Sequence, residues 1–242
     1  MRFHLVTYNI HKGIGGVDRR YRPERIIEAL QHLRPDIVLL QEVDDGVPRS
    51  RHHRQVDLFG DALELPHRAF QSNVRLRTGS YGNAILSRFP LSDVHHIELT
   101  IPLKKRRRAL AGRCHIAGKD GHVHSLLVIN AHLGLAGFER NIQIRRILEG
   151  EVLRRTQHQT AVIVAGDMND VWHGQGRRLF IPAGFQAATG PIRTFPAIMP
   201  LRALDRIYYR GRVVLHNAHA SRTAAARRAS DHLPLVAEFE MT

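Results

Sequence analysis

The chain has 242 residues, of which 43% are hydrophobic and 24% are charged, a composition typical of globular proteins. No run of about 18 apolar residues occurs, which excludes a membrane-spanning helix, and the single cysteine, Cys114, excludes an intramolecular disulfide bond. The 36 lysines and arginines outnumber the 22 aspartates and glutamates, and the net charge of +14 favours an anionic partner, either nucleic acid or an anionic membrane surface.

Two features predict a cytoplasmic protein. Residues 1–10 have the pattern of a strand with a charge at Arg2, which is unlike a signal peptide. A lone cysteine suits a reducing compartment, and Cys114 is expected to be a small buried hydrophobic residue. The 17 histidines are scattered without the spacing of zinc ligands.

The first half of the chain predicts a strand–helix–strand unit followed by a helix and further strands. A strand in which polar and apolar residues alternate covers 2–10, and a helix begins at Pro23. The buried strand Ile37–Leu40 then leads into Gln41-Glu42. This βαβ unit brings Asn9 and Glu42 to the ends of two strands. The remaining elements are a helix around 54–65 and strands near 67–70, 83–87 and 91–99.

The second half opens with the basic run Lys104–Arg108 and predicts a hairpin with its turn at 119–121. The stretch from Trp172 to Pro200 has few periodic apolar residues and is expected to be a surface excursion. Since no linker or repeat interrupts the chain, a single domain over 1–242 is expected. The predicted elements are hairpin strands at 113–117 and 122–130, a helix over 138–153, and strands over 162–166, 205–209, 213–219 and 235–239.

The most informative stretch is Ala161–Asp170, with the sequence AVIVAGDMND. Its β-branched part predicts a buried strand that ends at Gly166, where Asp167 and Asn169 follow. Ligands of α/β folds bind beyond the carboxyl ends of strands, so a carboxylate and an amide at this point could handle a metal, a water or a phosphate. The alternative is an Asx-rich turn, which the isolated stretch favours.

Other predicted strand ends also have polar side chains, and together they indicate a catalytic site. Carboxylates such as Glu42 and Asp231 are hard oxygen ligands that suit Mg²⁺, whereas zinc would call for a compact His or Cys cluster. A carboxylate with a histidine can activate water or stabilise an anionic transition state. The polar residues at these ends are Asn9, Glu42, His132, Asp205 and Asp231-His232.

Segments spread over nearly the whole chain resemble the endonuclease/exonuclease/phosphatase superfamily, which includes deoxyribonuclease I, apurinic endonucleases, inositol polyphosphate phosphatases and neutral sphingomyelinases. The resemblance implies a deoxyribonuclease I-like α/β (α+β) four-layer sandwich, in which two packed, mainly antiparallel sheets are flanked by helices. TFP (194–196) and PLRALDRIYY (200–209) further resemble small bacterial members whose substrates are generally unassigned. The family segments are TYNIHKG (7–13), LLQEV (39–43), YGNAILSR (81–88), NAHLG (130–134), VAGDMND (164–170), LDRIYY (204–209) and SDHLPL (230–235).

The resemblance implies a Mg²⁺ site, or a Mn²⁺ site, in which Glu42 is the principal ligand and Asn9 and Asp231 complete the pocket. The family motif GDFN reads GDMN here, and the change at position 168 keeps an apolar residue. By the same similarity, Asp167 orients or deprotonates the attacking water, and Asn169 binds the scissile phosphate.

The remaining implied roles concern the histidines. His232 would contact the phosphate oxygen as a cation or proton donor, and Asp205 would fix its orientation and favour its charged form. His132 corresponds to a second family histidine that assists the leaving group and is a tyrosine in some members. Asn83 stands where deoxyribonuclease-like members have a glutamate that supports this histidine, which weakens a deoxyribonuclease-like assignment.

The substrate is left open among three hypotheses: a metal-dependent nuclease, a phosphohydrolase for a lipid headgroup or small phosphodiester, and a non-catalytic polyanion-binding protein. Arg107 and Arg108 are candidate phosphate-binding residues, and the alternative is a solvated edge that discourages sheet pairing. Asn83 and Trp172 are further candidates for contact with substrate; Trp172 is expected to line the active site, and the alternative is that it caps the core. Nuclease activity is the preferred hypothesis, and the oligomeric state is open.

Overall fold

The computed structural model of the protein describes residues 1–118, 121–171 and 174–242. It contains two six-stranded β-sheets and several short helices. The strands are β1 (Arg2–Asn9), β2 (Ile37–Asp45), β3 (His67–Arg75), β4 (Ser80–Ser87), β5 (Leu91–Glu98), β6 (Arg108–Ala117), β7 (Val123–His132), β8 (Ala161–Asp167), β9 (Gln186–Ala187), β10 (Asp205–Arg210), β11 (Val213–Ala220) and β12 (Leu235–Met241). The helices are α1 (Pro23–Gln31), α2 (Gln55–Ala62), α3 (Gly137–Leu148), α4 (Glu151–Arg154), α5 (Gln175–Phe180) and α6 (Ala224–Ala229).

Each sheet has a parallel pair of strands at its centre and antiparallel strands around it. The first sheet has the order β11-β12-β1-β2-β4-β3 and the second the order β5-β6-β7-β8-β10-β9. The pairs β1–β2 and β7–β8 are parallel, with Asn9 opposite Gln41 and His132 opposite Asp167. Because parallel strands end at the same edge of a sheet, these pairings bring the polar strand ends together.

Three apolar clusters define four layers. The cluster between the sheets includes Leu39, Val128 and Phe239. A second cluster lies on the outer face of the first sheet under α1, α2 and α6, and a third lies on the outer face of the second sheet under α3 and α5. The predicted four-layer sandwich is therefore confirmed, as is the predicted burial of Cys114.

A polar bridge crosses the core between the two sheets close to the predicted site. Gln41 Nε2 donates to Thr7 Oγ1 at 3.0 Å and to Asn130 Oδ1 at 2.8 Å. Asn130 Nδ2 in turn donates to the backbone oxygens of Leu40 and Ala84. Since buried polar groups are costly unless hydrogen-bonded, this network fixes the relative position of the central strands.

One expectation from the sequence was wrong, and another was incomplete. The helix expected over 138–153 is divided into α3 and α4, because Gly150 has an extended backbone and passes so close to the preceding turn that a Cβ there would lie 2.6 Å from Arg146 O. The described part of the expected surface excursion, 174–200, is mostly exposed or half-buried, but Phe180 at the end of α5 and Phe185 after it are buried. Two apolar residues in so short a segment show no period of 2 or 3.6, so the sequence pattern does not indicate their burial.

Within the described ranges, no helix is long and apolar enough to cross a membrane.

Candidate active site

The predicted polar residues meet at the edge where the central strands of both sheets end. In the second sheet, Asp167 lies opposite both His132 on β7 and Asp205 on β10. In the first sheet, Asn9 ends β1, and the loop that leads into β12 places His232 beside it. Gly166 permits this meeting, since it has φ 145° and a Cβ there would lie 1.8 Å from Ala131 O.

One oxygen of Asp167 is the meeting point of three side chains. Asn9 Nδ2 donates to Asp167 Oδ2 at 3.0 Å. The Nε2 atoms of His132 and His232 lie 3.5 Å and 3.7 Å from the same oxygen. The other oxygen, Oδ1, accepts the backbone N–H of Asn169 at 3.0 Å. The Asp167 carboxylate is therefore fixed in position by contacts from both sheets.

His232 is held on its other side by a second buried carboxylate. Its Nδ1 lies 2.9 Å from Asp205 Oδ2, and the hydroxyl of Thr194 donates to the same oxygen. The ring of Phe195 packs against the imidazole with its centroid 5.0 Å away. These contacts fix the ring so that Nε2 points at Asp167, as the expected supporting role of Asp205 requires.

The charges at the site follow from burial and from these neighbours. Burial acts to lower the pKa of His232, but Asp205 and Asp167 outweigh burial and raise the pKa to about 10. Burial raises the pKa of Asp167 to about 6, against the opposing effect of the His232 charge. Burial and the positive charge of Arg107 hold the pKa of His132 well below its usual value. At neutral pH, His232 is thus a cation, Asp167 an anion and His132 neutral.

Two of the predicted residues have a left-handed backbone, which is uncommon outside glycine. Glu42 has φ 57° at a β-bulge between Gln41 and Val43, and Asn169 has φ 49°. Side chains along a strand point alternately to the two faces of the sheet, and the bulge interrupts this pattern at Glu42. The Asn169 side chain donates to Leu133 O at 2.9 Å. Such strained residues concentrate at functional sites, where the surrounding structure imposes the conformation.

Glu42 and Asp231 each lie beside a basic group. The ammonium of Lys12 contacts Glu42 Oε2, and it outweighs burial so that the pKa of Glu42 is lowered. His11 Nδ1 lies 4.0 Å from Asp231 Oδ1. Within the described ranges, no group of three or more His, Cys, Asp or Glu is placed to hold a metal ion.

The family model described as the Endonuclease/Exonuclease/phosphatase family matches residues 6–232 of this chain. The chain belongs to this family. The uncharacterized protein YbhP of Escherichia coli (strain K12) is 31% identical over an alignment that covers 99% of this chain and 96% of YbhP. Members of the family are generally phosphoric ester hydrolases and typically depend on divalent metal ions.

Solved structures of other members of this family share the fold. The endonuclease/exonuclease/phosphatase from Beutenbergia cavernae superposes with a TM-score of 0.80 at 20% identity, covering 99% of this chain and 72% of its own. The corresponding protein from Bacteroides vulgatus gives a TM-score of 0.78 at 16% identity and covers all of both chains. At these identities the likeness concerns the fold alone.

The candidates for contact with substrate lie in different surroundings. Asn83 is fully buried, and its side-chain amide donates to the backbone oxygen of Arg108 at 3.0 Å, so it supports the basic run from beneath. Arg107 is half-buried, and the charges of Asp167 and Glu42 act on it. The guanidinium of Arg108 instead donates to the exposed Glu98 at 2.8 Å. Trp172 lies outside the described residues.

Sequence reasoning did not single out Lys12 or Thr194. Lys12 follows Asn9 by three positions within the motif TYNIHKG, and a cation so close to a predicted metal pocket was an available signal. Thr194 begins the TFP segment that resembles the small bacterial branch. Its contact with Asp205 joins residues 11 positions apart through a loop without periodicity, so no local pattern indicates it.

The carboxylate of Asp170 has a structural role. Its Oδ2 accepts the backbone N–H groups of Gln175 and Gly176, both at 3.1 Å, at the start of α5. A carboxylate in this position satisfies helix N–H groups that have no partner within the helix. Asp170 is therefore a natural control for the neighbouring Asp167.

Proposed function

We propose that this protein is a Mg²⁺-dependent phosphodiester hydrolase that acts on nucleic acid. The observation that carries the proposal is the convergence of Asn9, His132 and His232 on one oxygen of Asp167. A buried carboxylate with a pKa of about 6 can accept a proton from water near neutral pH, and a neighbouring imidazolium can offset the charge of a phosphoryl group.

Glu42, Asn9 and Asp231 are the residues that would bind Mg²⁺ or Mn²⁺. The fit rests on donor chemistry, since hard oxygen donors suit either ion and the Glu42 carboxylate already attracts the Lys12 ammonium. When bound, the metal ion supplies positive charge that stabilises the phosphoryl oxygens and helps to orient the substrate.

The other residues of the site have separate roles in the proposed reaction. Asp167 accepts a proton from a water molecule as the water oxygen bonds to phosphorus in line with the leaving oxygen. The bond from phosphorus to the leaving oxygen breaks, and His232 acts on the phosphate as a cation or proton donor. Asn169 binds the scissile phosphate, and Asp205 fixes His232. His132, which is neutral, positions the leaving group.

The test is a panel of substrates with the purified protein in Mg²⁺ or Mn²⁺: duplex DNA, abasic DNA, RNA, phospholipid vesicles and bis-p-nitrophenyl phosphate. Asp167→Ala, Glu42→Ala and His232→Ala should each lower turnover by at least ~10²-fold, the scale for loss of one key electrostatic or acid–base group. Asp170→Asn is the matched control and should keep turnover within about threefold, because this side chain caps a helix. A near-normal rate for Asp167→Ala would remove Asp167 from the mechanism.

Nucleic acid is preferred over small phosphodiesters because of the positive charge around the site. The net charge is +14, and Lys105 and Arg107 act electrostatically on residues of the site. Cleavage of phospholipids or of bis-p-nitrophenyl phosphate, without cleavage of DNA or RNA, would favour a small phosphodiester as the substrate.

A further inference from the structure

The side chains of the basic run Lys104–Arg108 lie in two different surroundings. Lys104 Nζ lies 3.5 Å from Glu139 Oε1, and Arg108 Nε donates to Glu98 at 2.8 Å, so both charges have an acidic partner. The alternate residues, Lys105 and Arg107, act on the active site.

Arg107 is a half-buried cation at the active site. Its charge acts on His132, and the charges of Asp167 and Glu42 act on it in turn. No other residue of the described ranges forms a hydrogen bond or ion pair with its guanidinium, although its backbone N–H donates to Thr100 Oγ1. Partial removal of a cation from water without a paired anion is unfavourable, so this guanidinium is suited to an anionic ligand.

A second cation of the basic run, Lys105, lies over the ring of Tyr81. Lys105 Nζ lies 5.1 Å from the centroid of the Tyr81 ring, and the Lys105 charge acts on both Glu42 and His132. The Lys12 ammonium is 6.0 Å from the same centroid. A cation over an aromatic face is held without its charge being neutralised, since the ring supplies only a quadrupole. Lys105 thus has no acidic partner among the described residues and is available to an anionic ligand.

We propose that Lys105 and Arg107, beside Tyr81, form a subsite for a second phosphate group of the substrate, next to the phosphate that is cleaved. The inference rests on the proposed hydrolase function and narrows its substrate class to molecules with two neighbouring phosphates. Arginine binds phosphate through paired N–H groups and lysine as a point charge, so the two residues together suit a phosphate dianion or monoanion. Successive phosphates of a nucleic acid strand meet this description, and so does a phosphorylated headgroup.

The kinetic test uses substrate pairs that differ only in the second phosphate. One pair is a thymidine dinucleotide with and without a 5′-phosphate; the other is glycerophosphoinositol 4-phosphate and glycerophosphoinositol. The wild type should prefer the phosphorylated member by about tenfold in kcat/KM, the scale for one charged hydrogen bond. Lys105→Gln and Arg107→Gln should bring this ratio toward one, whereas Lys104→Gln and Arg106→Gln should keep it. The pair with the larger ratio identifies nucleotide or headgroup as the source.

A binding measurement separates failure of the subsite from failure of the hydrolase proposal. Inorganic pyrophosphate and inorganic phosphate are titrated into the protein in EDTA by calorimetry, where turnover plays no part. The preference for pyrophosphate should fall about tenfold in Arg107→Gln relative to Arg106→Gln. Equal behaviour of these two variants in both experiments would overturn the subsite. Loss of all turnover in the wild type, with the binding difference intact, would overturn only the hydrolase function.

Discussion

At the residue scale, His232 lies between two carboxylates, and this placement links its charge to the stability of the fold. Asp205 and Asp167 outweigh burial and raise its pKa to about 10. A group with a raised folded pKa contributes stability that is fully present below its unfolded pKa, about 6.5, and is lost as the pH rises through about 10. Burial raises the pKa of Asp167 only to about 6, so that residue is about nine-tenths deprotonated by pH 7 and titrates only at the lower end of this window.

We therefore expect the free energy of unfolding to fall by about 2 kcal/mol between about pH 6.5 and about pH 8.5, since one pKa unit corresponds to ~1.4 kcal/mol. Urea denaturation in EDTA measures the fall, and Asp205→Asn should flatten it by removing the main charge that raises the His232 pKa. Asp61→Asn, an exposed carboxylate paired with Arg68, is the control. An unchanged slope in Asp205→Asn, or an NMR titration of His232 with an ordinary pKa, would contradict the expectation.

Lys12 provides a second prediction at this scale, because its ammonium contacts the carboxylate that is proposed to bind Mg²⁺. A metal ion would have to share or displace this partner. Lys12→Gln should therefore tighten binding of Mn²⁺ by about tenfold, equivalent to ~1.4 kcal/mol, as measured by electron paramagnetic resonance or calorimetry.

Lys104→Gln makes the same change in net charge at a residue paired with Glu139, and it should leave Mn²⁺ affinity near the wild-type value. Weaker binding in Lys12→Gln would mean that Lys12 supports the metal pocket. Equal binding in both variants would mean that the metal ion does not use Glu42.

At the element scale, the residue before the end of β8 is a glycine that the neighbouring strand requires. A Cβ at Gly166 would lie 1.8 Å from Ala131 O on β7, and the φ of 145° is unfavourable for any other residue. Gly166→Ala should therefore lower the free energy of unfolding by more than ~2 kcal/mol, through strain and a forced shift of β7.

The matched control is Gly190→Ala, because a Cβ at Gly190 would meet nothing within 4 Å. Urea denaturation of both variants measures the difference. A stability of Gly166→Ala close to that of Gly190→Ala would show that β7 and β8 are less closely paired at this point.

The same scale shows what local sequence can predict. The β-branched runs of β2 and β8 are almost wholly buried, and their alternation or continuity predicted each strand and its polar end. The division of α3 from α4 was not predicted, because the apolar residues continue past Gly150 with helical spacing. The burial of Phe180 and Phe185 was not predicted either, since it depends on Tyr208 from a later strand.

Local sequence is also limited in what it can predict about the candidate site. Asn9 and Asp167 stand at strand ends, as the family motifs and the runs before them predicted, whereas Glu42 lies at a bulge within β2 and His232 in the loop before β12. The contact of Lys12 with Glu42 and the contact of Thr194 with Asp205 depend on how loops fold over the strands, which no local period encodes.

At the scale of the whole molecule, the site exists only where the two sheets meet. The first sheet supplies Asn9 and Glu42, and the second supplies His132, Asp167 and Asp205. The bridge between Gln41 and Asn130 joins the same sheets beneath them. The geometry of the candidate site therefore depends on the packing of the sheets as well as on the strands themselves.

The net charge of +14 is also a property of the whole molecule, and it gives the prediction that separates a nucleic acid substrate from a small one. Each phosphate contact made with a single strand releases counterions and contributes about −0.7 to the slope of log K against log salt. For a single-stranded oligonucleotide, kcat/KM should therefore fall at least about tenfold between ~50 mM and ~200 mM salt, whereas the value for bis-p-nitrophenyl phosphate should change less than about twofold.

The slope for the oligonucleotide can be assigned to particular residues by fluorescence anisotropy with the inactive Asp167→Asn protein in EDTA. If Lys105 and Arg107 bind a phosphate, Lys105→Gln and Arg107→Gln should each make the slope shallower by about 0.7. Lys104→Gln should change the slope less, because Glu139 already neutralises that charge. A tight but salt-independent interaction would contradict nucleic acid as the substrate, because the charge of this protein would then take no part in binding.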